Sequence, residues 1–199
     1  MKICSNLQAE YDPAWAKYLT QDPVHWATQR PNLEIRLKNN REVFFLLNSE
    51  DKPAAVLCAS YSLIRPTKIT QIFESHVQQT ICKPRVVTFY SIFRTTETPA
   101  DVGANRLIFG AAKYISETKP SVRVYQTLSP IPSLNKSGAD HESNNILEYI
   151  QQRKDSVSKF HLNNGAKVYK ICYNADSAIN RIDESSGIMV NYDYSELIK

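Results

Sequence analysis

The residues of this 199-residue chain whose types could carry acid–base, nucleophilic or metal chemistry are its four histidines and four cysteines. Cys4, Cys58, Cys82 and Cys172 stand singly, with no CxxC pair and no histidine at zinc-ligand spacing. They read as free thiols of a reducing cytoplasm, and no metal site is expected. His25 lies among aromatics and prolines and reads as a packed structural residue, whereas His76 and His141 lie in polar, exposed surroundings. His161, in KFHLNNGAKVYK, closes a loop just before a strand, and on residue type alone a structural role competes with a functional one. No GxSxG, HExxH, Walker or GxGxxG run is present. A different kind of chemistry is offered by the connector TTETPADVGA ahead of NRLIFGAAKYIS. A loop facing a helix N-terminus presents free N–H groups and the positive end of the helix dipole, which suits a phosphate-bearing ligand.

The apolar pattern around these residues sets out a mixed α/β chain. Prolines 13, 23 and 31 divide the aromatic-rich segment Tyr11 to Leu37 into short helical pieces. EVFFLLN, the turn SEDKP and AAVLCASYSLI read as a strand pair, and a third run follows over Lys68 to Phe73. Val86 to Phe93 is apolar on both faces, with Val86, Tyr90 and Ile92 on one and Val87, Phe89 and Phe93 on the other, as in a central strand covered by helices. Leu107, Ile108, Ala111, Ala112 and Ile115 form one helical stripe that should lie on the sheet, with Gly110 keeping the helix slim. Pro120 ends the helix, and Val122 to Leu128 starts the next strand. Residues 135–158 read as a surface loop plus the short amphipathic helix ILEYIQQRK. AKVYKICY and GIMVNYDY are closing strands joined by the connector NADSAINRIDESS.

Hydrophobic residues make up 42% and charged residues 22%, a balance that supports one packed core and excludes a disordered chain. We expect one domain over residues 1–199, with residues 1–40 a helical segment packed on it. The net charge of +4, without a block of basic and aromatic residues, fits an anionic small ligand better than nucleic acid. The N-terminus does not read as a secretory signal, and no window approaches the ~20 apolar residues of a membrane span. A cytoplasmic protein without membrane partners is expected.

The runs TFYSIF, TLSPIPSL, FHLNNGAKV and SSGIMVNYDY occur in this order, and together they resemble the catalytic domain of malonyl-CoA decarboxylases. The run DPVHWATQRPNLEIRLKNNREVFFLL and the AVLCAS strand resemble the opening of that domain, so the resemblance extends from His25 to Tyr194. It implies a Gcn5-related N-acetyltransferase-like fold: a mixed sheet with helices on both faces, whose two central strands splay apart to admit the pantetheine arm of an acyl thioester. Those strands map to Val86–Phe93 and Val122–Leu128. The pyrophosphate falls at the loop before Asn105, which makes Val102, Gly103, Ala104, Asn105 and Arg106 the implied CoA contacts. Ser129 of the SPIP motif, His161 of FHLxNGA and Tyr194 of NYxY form the implied catalytic cluster.

The chain departs from the family in two places. The resemblance does not extend to the family's N-terminal helical domain, and the helical insertion expected between the SPIP and FHLxNGA motifs is short, which leaves the oligomeric state open. Its loop TPADVGAN also lacks the fuller glycine pattern, which implies weaker CoA binding. The implied activity is decarboxylation of malonyl-CoA or a malonyl-acyl carrier protein to the acetyl thioester and CO2, as in fatty acid metabolism. No cofactor is implied beyond the CoA or phosphopantetheine of the substrate. Loss of CO2 leaves an enolate, so the site must stabilise a thioester oxyanion and supply a proton to carbon. Ser129, held extended by Pro130, would hydrogen-bond the departing carboxylate, and His161 would donate to the oxyanion or the enolate. A nucleophilic serine ranks below this for want of an acidic orienting partner. The alternatives are an acyltransferase of the same fold and a non-catalytic acyl-thioester-binding module.

Overall fold

Two runs of the first half, REVFFLL and PAAVLCASYS, pair as an antiparallel hairpin, β2 (Arg41–Leu47) and β3 (Pro53–Ser62). Asn48 closes the turn, its side chain accepting from the N–H groups of Glu50 and Lys52. The computed structural model describes residues 2–21, 36–37, 40–73, 83–96, 104–138 and 141–198. His25, His76 and Cys82 lie outside them, as do Val102 and Gly103. An eight-stranded mixed sheet organises the described residues. Its order runs β1 (Lys2–Ser5), β2, β3, β4 (Val86–Arg94), β5 (Val124–Thr127), β8 (Met189–Asp193) and β6 (Ser129–Pro130), with β7 (Lys167–Cys172) also on β8.

Both faces of the sheet are covered. One carries α2 (Ala104–Thr118) and α3 (Ser143–Gln151), packed on Phe44, Leu57, Val87, Phe89 and Tyr192. The predicted stripe of α2 is buried, Leu107, Ile108, Ala111, Ala112 and Ile115 all being at most 1% exposed. Gly110 lets the helix approach β1 closely, since a Cβ there would meet Ile3 Cδ1 and make that side chain shift. The opposite face carries the 3₁₀ helix Pro13–Gln21 and the short helix α1 (Ile69–Phe73), packed on Phe45, Val56, Tyr90 and Phe93. Tyr11 and Trp15 lie on Phe45, with ring centroids 5.7 and 5.5 Å away.

Several elements differ from the sequence reading. Residues 2–5, placed in a helical segment, form the edge strand β1, whose pairing with β2 a four-residue run does not announce. The run Lys68–Phe73 is the helix α1 rather than a further strand. Alternation also fails inside β4: Cys58 opposes Ser91 while Ala59 opposes Phe89, so Tyr90 is the extra residue of a β-bulge. The bulge swaps the faces beyond it, placing Ile92 with Val87 and Phe89, and Phe93 with Tyr90.

The bulge sits where the central strands part. β4 and β5 are parallel and paired only from Val86↔Val124 to Phe89↔Thr127. Beyond that point β4 continues to Arg94 paired with β3 only, while the chain after β5 is drawn to β8 through Ser129↔Val190 and Pro130↔Met189. Gln126 spans the last closed rungs, its Nε2 donating to Thr88 Oγ1 at 3.2 Å while its Oε1 accepts from Arg65 at 2.9 Å. The expected splay is therefore present, with a defined vertex.

Candidate active site

Ser129 lies just beyond that vertex. In an extended chain residues two apart point to the same face, so Thr127 and Ser129 project together. The Ser129 hydroxyl donates to Thr127 Oγ1 at 2.9 Å. His161 comes from α4 (Ser156–Asn163) and sets Nε2 2.9 Å from Ser129 Oγ. Its other nitrogen, Nδ1, is 2.8 Å from the hydroxyl of Tyr194, which follows β8. Thr127, Ser129, His161 and Tyr194 thus form one continuous hydrogen-bonded row. The members are buried, Ser129 being 6% exposed, His161 4%, Thr127 2% and Tyr194 0%.

The expected loop at His161 is a helix. Asp155 caps it, accepting from Val157 N at 2.9 Å, Ser158 N at 2.8 Å and Ser158 Oγ at 2.5 Å. Asn164 ends it, and Gly165, at φ +81°, turns the chain into β7. Only two turns long, α4 gives little periodicity to read; the available signal was the cap in DSVS. The imidazole is held on a second side by Tyr192 of β8, stacked with centroids 4.5 Å apart at 24°. Sequence reasoning passed over Tyr192 and Thr127, and only the alternation of β8 and β5 would have pointed to them.

Burial sets the electrostatics. His161 occupies the last turn of α4, where the helix dipole favours a cation, yet desolvation dominates and lowers its pKa to about 3. The ring is therefore neutral at pH 7. No carboxylate contacts it among the described residues. Burial also raises the phenol of Tyr194 above its ordinary value, so this hydroxyl keeps its proton.

The anion contacts implied at the β4–α2 connector are not all in view, since Val102 and Gly103 lie outside the described residues. Ala104, Asn105 and Arg106 form the first turn of α2, where Asn105 Oδ1 accepts from Arg106 N at 2.9 Å. Two open grooves of about 620 and 760 Å³ border the start of β5, at the far end of the parallel pair. They share Arg123 and Tyr169, and neither touches Ser129 or His161. Among the described residues no group of three His, Cys, Asp or Glu could hold a metal, and no helix is long and apolar enough to cross a membrane. The four cysteines include Cys4, Cys58 and Cys172, which are buried free thiols.

Comparison with known proteins bears out the resemblance read from the motifs. Residues 145–197, the part holding His161 and Tyr194, match the family model of the malonyl-CoA decarboxylase C-terminal domain. No curated protein sequence matches the chain. The crystal structure of malonyl-CoA decarboxylase from Rhodopseudomonas palustris is similar at a TM-score of 0.76 and 20% identity, over 98% of this chain and 56% of that one. The loading GNATL domain of CurA from Lyngbya majuscula is similar at a TM-score of 0.67 and 15% identity, over 100% of both chains. The GphF GNAT-like decarboxylase, solved with isobutyryl-CoA, is similar at a TM-score of 0.63 and 12% identity, over 97% of this chain and 98% of that one. The fold is the GNAT-like one. This chain spans a little over half the length of the Rhodopseudomonas palustris protein.

Proposed function

We propose that this protein is a carboxy-lyase that decarboxylates a malonyl thioester, malonyl-CoA or malonyl-acyl carrier protein, to the acetyl thioester and CO2. The observation that carries the reading is the buried row Ser129–His161–Tyr194 at the point where β4 and β5 part. It joins a neutral imidazole to two hydroxyls and contains no acid. Its partners are those a carbanion reaction needs. The reaction breaks the bond between the α-carbon and the carboxylate; the electron pair passes into the thioester carbonyl as an enolate, and the α-carbon then takes a proton.

Ser129 donates to the malonyl carboxylate and holds it out of the plane of the carbonyl, so that the breaking bond overlaps the π system. His161 Nε2–H stabilises the enolate oxygen or passes the proton toward carbon, a role worth typically ~100- to 10,000-fold. A dry site adds to this, because the carboxylate charge is lost as CO2 leaves. The pantetheine arm enters through the gap between β4 and β5, with the phosphates toward Val102, Gly103, Ala104, Asn105 and Arg106. A nucleophilic serine would need His161 as its base, and a ring whose pKa is pushed to about 3 is a weak one.

The test is to incubate the protein with malonyl-CoA and, separately, with a malonyl-loaded carrier protein, and to follow acetyl thioester by mass. Acetyl product is expected from at least one donor, with a loss of ~100-fold or more in His161→Ala and a smaller loss in Ser129→Ala. Product formed at unchanged rates by both variants would overturn the residue roles. No product from either donor would overturn the activity.

A further inference from the structure

We propose that Thr127 is a positioning residue for this site: its hydroxyl takes the Ser129 proton and so holds His161 in the form that carries hydrogen on Nε2. The catalytic consequence rests on the decarboxylase reading, while the proton assignment stands on geometry. Ser129 has one hydrogen, and it is directed at Thr127 Oγ1, 2.9 Å away. The 2.9 Å contact between Ser129 Oγ and His161 Nε2 must then be donated by the ring. A neutral imidazole with hydrogen on Nε2 has a bare Nδ1, which accepts from the Tyr194 hydroxyl at 2.8 Å. The direction of the whole row, from Tyr194 through His161 and Ser129 to Thr127, follows from the acceptor at its end.

Thr127 is built to serve as that end. It is the last residue of β5 paired with β4, and it is 2% exposed. Its carbonyl accepts from Asn191 Nδ2 at 3.0 Å, and Asn191 is fully buried in β8. The same amide reaches Pro66 O at 3.3 Å, so the vertex, the loop after β3 and the strand leading to Tyr194 are tied together. A valine would keep the shape and the backbone bond but offer no acceptor. Ser129 would then turn its proton to Nε2, and the ring hydrogen would move to Nδ1.

In the reaction the row works as a directed proton supply. Once CO2 has left and Ser129 is released from the carboxylate, its hydroxyl proton goes to the enolate carbon, the His161 Nε2 proton replaces it on Ser129, and Nδ1 takes the Tyr194 proton, which the strongly basic carbanion draws despite the raised phenol. Solvent returns one proton through the vacated pocket, and the row shifts back. One carbon–carbon bond breaks, one carbon–hydrogen bond forms, and one proton is consumed for each CO2. Reversing the row makes Nε2 an acceptor for the Ser129 hydroxyl and removes the supply.

The experiment is nitrogen-15 NMR of imidazole-labelled protein at pH 7, with the His161 signals assigned by their loss in His161→Gln. Wild type and Thr127→Ser are expected to show hydrogen on Nε2, and Thr127→Val on Nδ1. Turnover of malonyl-CoA is expected to fall roughly 100-fold in Thr127→Val at unchanged KM and to recover in Thr127→Ser. Wild-type protein with hydrogen on Nδ1, or Thr127→Val with hydrogen still on Nε2, would overturn the proposal. If Thr127→Val does not fold, Thr127→Ala gives the same readout, and hydrogen still on Nε2 there would overturn the proposal. An inactive protein whose tautomer responds as stated would instead overturn the decarboxylase reading and leave the positioning role standing.

Discussion

Two buried polar networks lie on this sheet, and they are built on different principles. Near the β1 edge, Glu42 is fully buried and accepts from Ser5 Oγ, from the Tyr61 hydroxyl at 2.6 Å and from Lys119 Nζ at 3.0 Å. Lys119, just past the end of α2, is also 5.1 Å from the centre of the Tyr61 ring. Every donor converges on one carboxylate, so no proton has a second place to go. Burial and the neighbouring Glu42 raise the Tyr61 phenol well above its ordinary value and lock its proton in place. At the other end of the sheet, the row from Tyr194 to Thr127 contains no formal charge. Each interior member both gives and receives, and the hydrogens can shift along it together. The first arrangement ties β1, β2, β3 and α2 into one body. The second links uncharged donors and acceptors in series, which is what the proposed acid–base chemistry requires.

The contrast can be broken from either side. The largest effect is expected in Glu42→Ala, which strands two hydroxyls and an ammonium and should lower unfolding free energy by about 3–5 kcal/mol in urea titration. Specific decarboxylase activity of the folded fraction should not change. Loss of specific activity in the folded fraction would show that the two networks are coupled.

Acid should act on the row through His161. The folded-state pKa of His161 is about 3, against an ordinary value of 6.5, so the unfolded chain binds the extra proton between those limits. Its contribution to stability is complete above pH 6.5 and is lost as pH falls toward 3. The slope is about 1.4 kcal/mol per pH unit. Thermal unfolding of wild type and His161→Gln across pH 4–7 should show that extra slope in wild type only; parallel curves would mean that the ring is not held neutral.

The smallest effect is expected in Tyr194→Phe. Losing the donor to Nδ1 should cost about 1–3 kcal/mol in stability. It should also slow turnover less than His161→Ala does. A variant with wild-type stability and turnover would remove Tyr194 from the row.

Much of the fold was legible because burial on two faces leaves a strong mark. The stripe from Leu107 to Ile115 and the continuous apolar run from Val86 to Phe93 could be read directly, and both lie in the core. Short elements could not. β1 has four residues and α4 has eight, and their stability comes from what they dock on, with little from their own pattern. The bulge at Tyr90 was hidden for another reason: an inserted residue leaves alternation plausible on each side and changes only the register with β3. At the site, Ser129, His161 and Tyr194 were named from motifs, whereas Thr127 and Tyr192 were passed over as ordinary strand residues.

The sequence by itself determined the chemical inventory of this protein: a Ser, His and Tyr set, no recognisable metal motif, and a central strand apolar on both faces. It determined these because residue type and local periodicity are properties of neighbours along the chain. Only the tertiary structure decided that the set meets. Thirty-two residues separate Ser129 from His161 and 33 separate His161 from Tyr194. Their contact depends on where β5 leaves β4 and joins β8, a matter of strand register. The same crossing buries the imidazole, and burial, which no residue carries alone, is what makes it neutral.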